Sequence, residues 1–166
     1  MTENKPLVGI VMGSASDMAQ VESCVEALNE LGIPYELTVA SAHRTPEEAT
    51  AFARTARERG IKVIVAAAGW AAHLPGVLAA HTTLPIIGLP IGSSPLGGKD
   101  ALYAMVQMPP GVPVATVGID TGRNAGILAA QIIGVADEGV AASLAQMKED
   151  MAEKVRQAAR KLAGAQ

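Results

Sequence analysis

Three short stretches concentrate the residue types that can hold a phosphate or move a proton. The first, Gly13-Ser-Ala-Ser-Asp17, lies between an apolar run and a helical pattern. Free backbone N–H groups and the positive end of a helix dipole favour an anion at such a junction, and Ser14 and Ser16 add hydroxyls. Gly13 permits close backbone approach, while Asp17 suits a ribose hydroxyl pair better than the phosphate itself. The same residues also make an ordinary helix N-cap, for which Ser and Asp are preferred. Neither G-x-G-x-x-G nor G-x-x-x-x-G-K-S/T occurs here, so neither a dinucleotide loop nor a P-loop is indicated.

The second stretch is Ser41-Ala-His-Arg-Thr-Pro46. Arg44 can grip a phosphate through two N–H groups, and His43 can exchange protons near neutral pH. The third is Ala67-Ala-Gly-Trp-Ala-Ala-His-Leu-Pro-Gly76. Its Gly and Ala residues let a flat ligand lie against backbone, and His73 is either a second polar group or a buried structural histidine. His81 reads as structural or surface. No His, Cys or acidic residues show metal-ligand spacing, so no metal is expected. No serine sits in a G-x-S-x-G elbow, and Cys24 has no neighbouring base, so it reads as a small apolar helix residue.

The elements that must position these stretches alternate. Apolar runs at Leu7–Met12, Tyr35–Ala40, Lys62–Ala67, Pro85–Leu89 and Val112–Val117 read as strands. Helical patterns follow at Asp17–Leu31, from Pro46 to Gly60, and at Ala71–Ala80, Asp100–Gln107 and Asn124–Gly134. Five βα units with nearly all-apolar strands imply a parallel sheet covered on both faces. The expected fold is therefore α/β, a doubly wound sheet with flavodoxin-like order. In such sheets the carboxyl ends of neighbouring strands share one crevice, which would bring the three stretches together.

Composition agrees. The 166 residues fit one domain, with no repeat or linker, and 49 % are apolar against 17 % charged. Only Tyr35, Phe52, Trp70 and Tyr103 are aromatic, as suits small side chains packed between helices and a parallel sheet. A net charge of −3 gives no basic footprint for nucleic acid or an anionic membrane. The polar start lacks a signal peptide's apolar core, and one cysteine cannot form an internal disulfide, so a reducing cytoplasm is expected. The apolar stretch Val63–Ala80 is interrupted by Gly69, His73, Pro75 and Gly76, which argues against a membrane span. A final helix over 137–162 carries Val140, Leu144, Met147, Met151, Val155, Ala158 and Leu162 as one stripe. Packing of that stripe on a second subunit is expected, with residues 137–166 as an oligomerisation helix.

Taken together with Val106-Gln-Met-Pro-x-Gly-Val-Pro-Val114, the three stretches resemble the class I N5-carboxyaminoimidazole ribonucleotide mutases, the PurE family, from about Leu7 to Ile133. The resemblance implies a three-layer α/β sandwich and conversion of N5-carboxyaminoimidazole ribonucleotide to 4-carboxyaminoimidazole ribonucleotide in purine synthesis. It implies no cofactor, metal or ATP, and an octamer in which the C-terminal helix reaches a neighbour. By motif, Ser14 and Arg44 would hold the phosphate, with Ser16 and Ser41 beside them, and Asp17 would hold the ribose. His43 would be the acid/base, with His73 as a second catalytic polar group, and Gly69, Ala71, Ala72 and Leu74 would line the base and carboxylate. The sequence departs from the family at Ala67 and Trp70, which stand in place of two glycines, and in a shorter Asp120–Asn124 loop. A class II-type aminoimidazole ribonucleotide carboxylase using carbon dioxide is the nearest alternative, although such enzymes carry Gly-Arg-Ser-Asn in place of Ala-Ala-His-Leu. A non-catalytic nucleotide-binding domain on the same fold is the more distant one.

Overall fold

A computed structural model describes residues 5–164. Its elements alternate as strand and helix: β1 (Val8–Met12), α1 (Met18–Glu30), β2 (Tyr35–Val39), α2 (Pro46–Arg59), β3 (Val63–Gly69), α3 (Leu74–His81), β4 (Ile86–Ile91), α4 (Lys99–Val106), β5 (Ala115–Thr116), α5 (Gly122–Gly134) and α6 (Glu138–Ala163). The strands form one parallel sheet in the order β2-β1-β3-β4-β5. This is the doubly wound, flavodoxin-like arrangement that the apolar runs imply.

Strand alternation divides the core in two. Val8, Ile10, Val63, Val65, Ile87 and Leu89 point to the face covered by α1 and α5. Val11, Ile64, Ala66 and Ala68 point to the other, where α2, α3 and α4 supply alanines, Leu78 and Met105. Burial at this level contributes about 1.5–3 kcal/mol for each fully enclosed Val, Ile or Leu.

Several boundaries differ from the sequence reading, each for a local reason. The strands β3 and β4 run two residues further, because Ala68 and Gly69 pair with Pro90 and Ile91. The fifth strand shrinks from six residues to two. Pro109, Pro110 and Pro113 withhold backbone N–H groups, and Val112 turns back to the Pro109 carbonyl. The third helix begins at Leu74 rather than Ala71, since Trp70 takes a left-handed backbone with φ 56° and Pro75 opens the helix two residues after His73.

The C-terminal stripe divides. Asp137 caps α6 by accepting from the Val140 N–H at 3.0 Å. Val140, Leu144 and Met147 pack on the core beneath α1 and α5, which corrects the expectation that the whole stripe faces a neighbour. Among the described residues the remainder is largely uncovered: Met151, Val155 and Leu162 are 46 %, 70 % and 73 % exposed.

Candidate active site

The carboxyl ends of β1, β2, β3 and β4 open into one cleft of about 380 Å³. It sits where the chain order reverses about β1 and β3, the place where doubly wound sheets bind ligands.

One end of the cleft is built from the first two loops. Ser14 caps a single 3-10 turn, Ala15–Asp17, that leads into α1, its Oγ accepting from the Ser16 N–H. Ser16 Oγ lies 2.8 Å from Ser14 Oγ and 3.4 Å from Asp17 Oδ1. The Arg44 guanidinium donates from Nη2 to the Gly13 carbonyl at 2.9 Å, which ties the second loop to the first. Ser41 Oγ accepts from the backbone N–H of Arg44 at 3.2 Å and of His43 at 3.4 Å, and Thr45 Oγ1 accepts from the Ser41 N–H at 2.8 Å. The turn is therefore cross-linked, and Arg44 keeps donors free to face the cleft. Asp17 is buried, and that burial holds its carboxyl above its usual range. The Ser16 hydroxyl, the Ser14 backbone and the nearby Arg44 charge pull it the other way without cancelling the effect.

At the other end stand two imidazoles. His43 Nε2 and His73 Nδ1 are 2.8 Å apart, and the rings meet edge-on with centroids 4.8 Å apart. Two facing nitrogens at that separation share one proton, since two N–H groups cannot point at each other. The pair thus offers one acidic and one basic position on a single hydrogen bond. Around it the walls are small. Gly69 leaves little room for a Cβ, because one would force the Ser93 hydroxyl to move and would sit 3.2 Å from the Ile91 carbonyl.

The structure brings Ser14, Ser16, Asp17, Ser41, His43, Arg44, Gly69, Ala71, His73 and Leu74 to this cleft. Ala72 is the exception among the expected residues. Its side chain is only 1 % exposed and packs in the core beneath α2 and α3, so it supports the loop from behind. Ser93 lines the cleft although the sequence reading passed over it. It follows β4 by two residues, so the rule that directed attention to the first three strand ends, applied to the fourth, would have found it. Trp70 also lines the cleft and is 58 % exposed, so its indole does not fill this chain's core. The Asp120–Asn124 loop is anchored away from the cleft lining: Asp120 Oδ1 accepts from the N–H of Gly92, the residue before Ser93, at 2.9 Å. Among the described residues, no three His, Cys, Asp or Glu side chains are grouped to hold a metal, and no helix is long and apolar enough to cross a membrane.

Comparison with known proteins places this architecture. Residues 7–154 match the family described as AIR carboxylase. The N5-carboxyaminoimidazole ribonucleotide mutase of Pyrococcus horikoshii is 51 % identical over 162 residues, which cover 98 % of this chain and 92 % of the relative. The mutase of the same name from Bacillus subtilis is 55 % identical over 148 residues, 88 % of this chain and 91 % of that one. The crystal structure of Treponema denticola PurE superposes with a TM-score of 0.86 at 31 % identity, covering 95 % of this chain and 98 % of the other. With its four strand-end loops, its paired histidines and these likenesses along nearly its whole length, the chain belongs to the AIR carboxylase family, among the PurE proteins.

Proposed function

We propose that this chain is an N5-carboxyaminoimidazole ribonucleotide mutase, an isomerase of purine biosynthesis that moves a carboxylate from the exocyclic nitrogen to C4 of the imidazole. The observation that carries the reading is the His43–His73 hydrogen bond, set in the same cleft as a free-handed arginine. Mutases about 50 % identical to the chain support it.

Ser14 and Arg44 hold the phosphate, with Ser16 and Ser41 supporting them, and Asp17 takes the ribose hydroxyls. Gly69, Ala71 and Leu74 line the ring, and Ala72 backs that wall. The nitrogen–carboxylate bond breaks to leave carbon dioxide, and the exocyclic nitrogen takes a proton from His43. Carbon dioxide then bonds to C4, and the C4 proton passes to the same imidazole. One proton leaves and one returns, so the balance closes without redox chemistry or a cofactor. His73 restrains the His43 ring and can share its proton. The chain works in the cytoplasm as one domain in a homo-octamer, with Met151 to Leu162 of α6 against a neighbouring subunit.

Turnover with the two candidate substrates tests the reaction. N5-carboxyaminoimidazole ribonucleotide should be converted directly, whereas aminoimidazole ribonucleotide with dissolved carbon dioxide should react far more slowly at equal enzyme. The opposite ranking assigns the class II-type carboxylase reaction, and binding without turnover of either assigns a nucleotide sensor. For assembly, removal of residues 151–166 should lower the mass seen by light scattering and leave the circular dichroism of the sheet and remaining helices unchanged. An unchanged mass would place the exposed half of α6 outside any subunit contact.

A further inference from the structure

Trp70 is anomalous in three independent ways. Its backbone lies at φ 56°, in the left-handed region that bulky L-residues rarely enter. Its indole is 58 % exposed, although large aromatic surface is costly to leave in water. It also lines the cleft at the end occupied by the two imidazoles, where its neighbours in sequence are only Gly69 and Ala71.

The surrounding chain cannot relax to remove the strain. On one side Ala68 and Gly69 are fixed in the sheet against Pro90 and Ile91, with Gly69 tight on Ser93. On the other, Ala72 and Leu74 are 1 % and 2 % exposed and anchor the start of α3. A rigid loop thus carries one large, flat, amphipathic side chain at its tip. Strained residues persist where the surrounding structure over-determines them, and such residues cluster at ligand clamps. Beside the two imidazoles and Leu74, the other walls near Trp70 (Ala68, Gly69, Ala71 and Ser93) are small, so the indole is the largest flat surface lining the cleft.

We propose that Trp70 is the cover of the transfer end: its indole lies over the imidazole of the bound ribonucleotide and retains the carbon dioxide released between the two carboxylation sites. This rests on the mutase reading. Free carbon dioxide is small and neutral, so no hydrogen bond of useful strength can hold it, and only exclusion from solvent keeps it beside C4. A planar aromatic surface stacked on a flat heterocycle provides that exclusion at low entropic cost. The phosphate end, gripped by Arg44 and the serines, is left untouched by the residue.

The experiment starts from 13C-carboxylate-labelled 4-carboxyaminoimidazole ribonucleotide, because a carbon-bound carboxylate does not leak by itself as a carbamate does. Wild-type enzyme should isomerise it with no immediate release of aminoimidazole ribonucleotide. Trp70→Gly, which suits the left-handed backbone, should release aminoimidazole ribonucleotide and labelled carbon dioxide without a lag, raising that fraction at least fivefold, with affinity for the ribonucleotide falling by the several-fold that a lost stacking contact implies. Trp70→Phe should restore most of the retention. A partition in Trp70→Gly equal to that of the wild type overturns the proposal, as does a lowered assembly mass with retention intact, which would make Trp70 an interface residue. Emission from the wild-type indole, the only tryptophan in the chain, gives a readout independent of turnover. It should be quenched or shifted by saturating 4-carboxyaminoimidazole ribonucleotide, and an unmoved spectrum with binding confirmed by calorimetry overturns the cover. If the wild type binds and changes emission but does not isomerise, the mutase reading fails while the stacking survives.

Discussion

The two ends of the cleft are made differently. At the phosphate end, hydroxyls and backbone groups of the first two loops are joined by hydrogen bonds, with Arg44 spanning from Ser41 to the Gly13 carbonyl. At the transfer end a single hydrogen bond, between His43 and His73, stands among Gly and Ala walls in a cleft that the exposed Trp70 also lines. On the proposed function the first end holds the phosphate with a turn already cross-linked by hydrogen bonds, and the second moves the proton. Binding strength should therefore reside in the first and rate in the second.

His43→Asn should give the largest effect. Removing the proton carrier should lower turnover by at least about 10²–10⁴-fold with ribonucleotide affinity kept within a few-fold. Substantial remaining turnover would break the division by showing that the transfer end does not depend on this imidazole. Arg44→Ala should act the other way round, weakening ribonucleotide affinity by about 1.5–3 kcal/mol, as loss of a charged hydrogen-bond pair does. The dephosphorylated nucleoside is the control, and an equal loss there would mean that Arg44 serves the ring rather than the phosphate. Gly69→Ala forces a methyl against Ser93 and the Ile91 carbonyl, so it should cost about 1–3 kcal/mol of stability by thermal unfolding. Its turnover should fall more than its affinity; the reverse order would blur the two ends.

Asp17→Asn should have the smallest effect, and its sign is diagnostic. Burial raises the folded carboxyl's pKa above its unfolded value, so the charged form is penalised in the folded state. The stabilising contribution from the neutral acid is full below that unfolded value and is lost as pH rises through the higher folded one. At neutral pH the amide variant should therefore melt slightly higher than the wild type, with the gain vanishing in acid. A lower melting temperature at neutral pH would show that hydrogen bonds from Ser16 and the Arg44 charge outweigh burial.

Much of this is legible in the sequence itself. Apolar runs ending in Gly13, Ser41 and Gly69 locate the sheet, and the strand-end rule then places His43, Arg44 and His73 in one crevice. Other features depend on partners remote in sequence. Proline chemistry at 109, 110 and 113 shortened the fifth strand, but an apolar run over Val112–Val117 conceals that because hydropathy does not register a missing N–H. Ser93 sits in a Gly-Ser-Ser-Pro turn that resembles any surface turn until β4 is seen to extend to Ile91. The 3-4 stripe of α6 is continuous in sequence, yet the body of the domain ends partway along it, so Met147 is covered and Val155 is not.

The contact between α1 and α5 has a consequence for motion. At Gly122 a Cβ would strike the Gln20 carbonyl, and at Gly126 one would lie 2.7 Å from the Cys24 carbonyl and 3.0 Å from Ala27 Cβ. Backbone rests close on backbone there, with only the small side chains of Ser23 and Ala27 beside the contact. The two helices should consequently behave as one mechanical unit, opening together on the slow timescale of sub-global unfolding. Because α1 springs directly from the Ser14–Asp17 turn, the Ser14 end of the cleft is bolted to that unit, whereas the Trp70 loop leads into α3 on the opposite layer and does not share its opening. Amide hydrogen exchange should therefore find the slowest, jointly exchanging protons over residues 20–28 and 125–133, and a faster, independent set over 70–73.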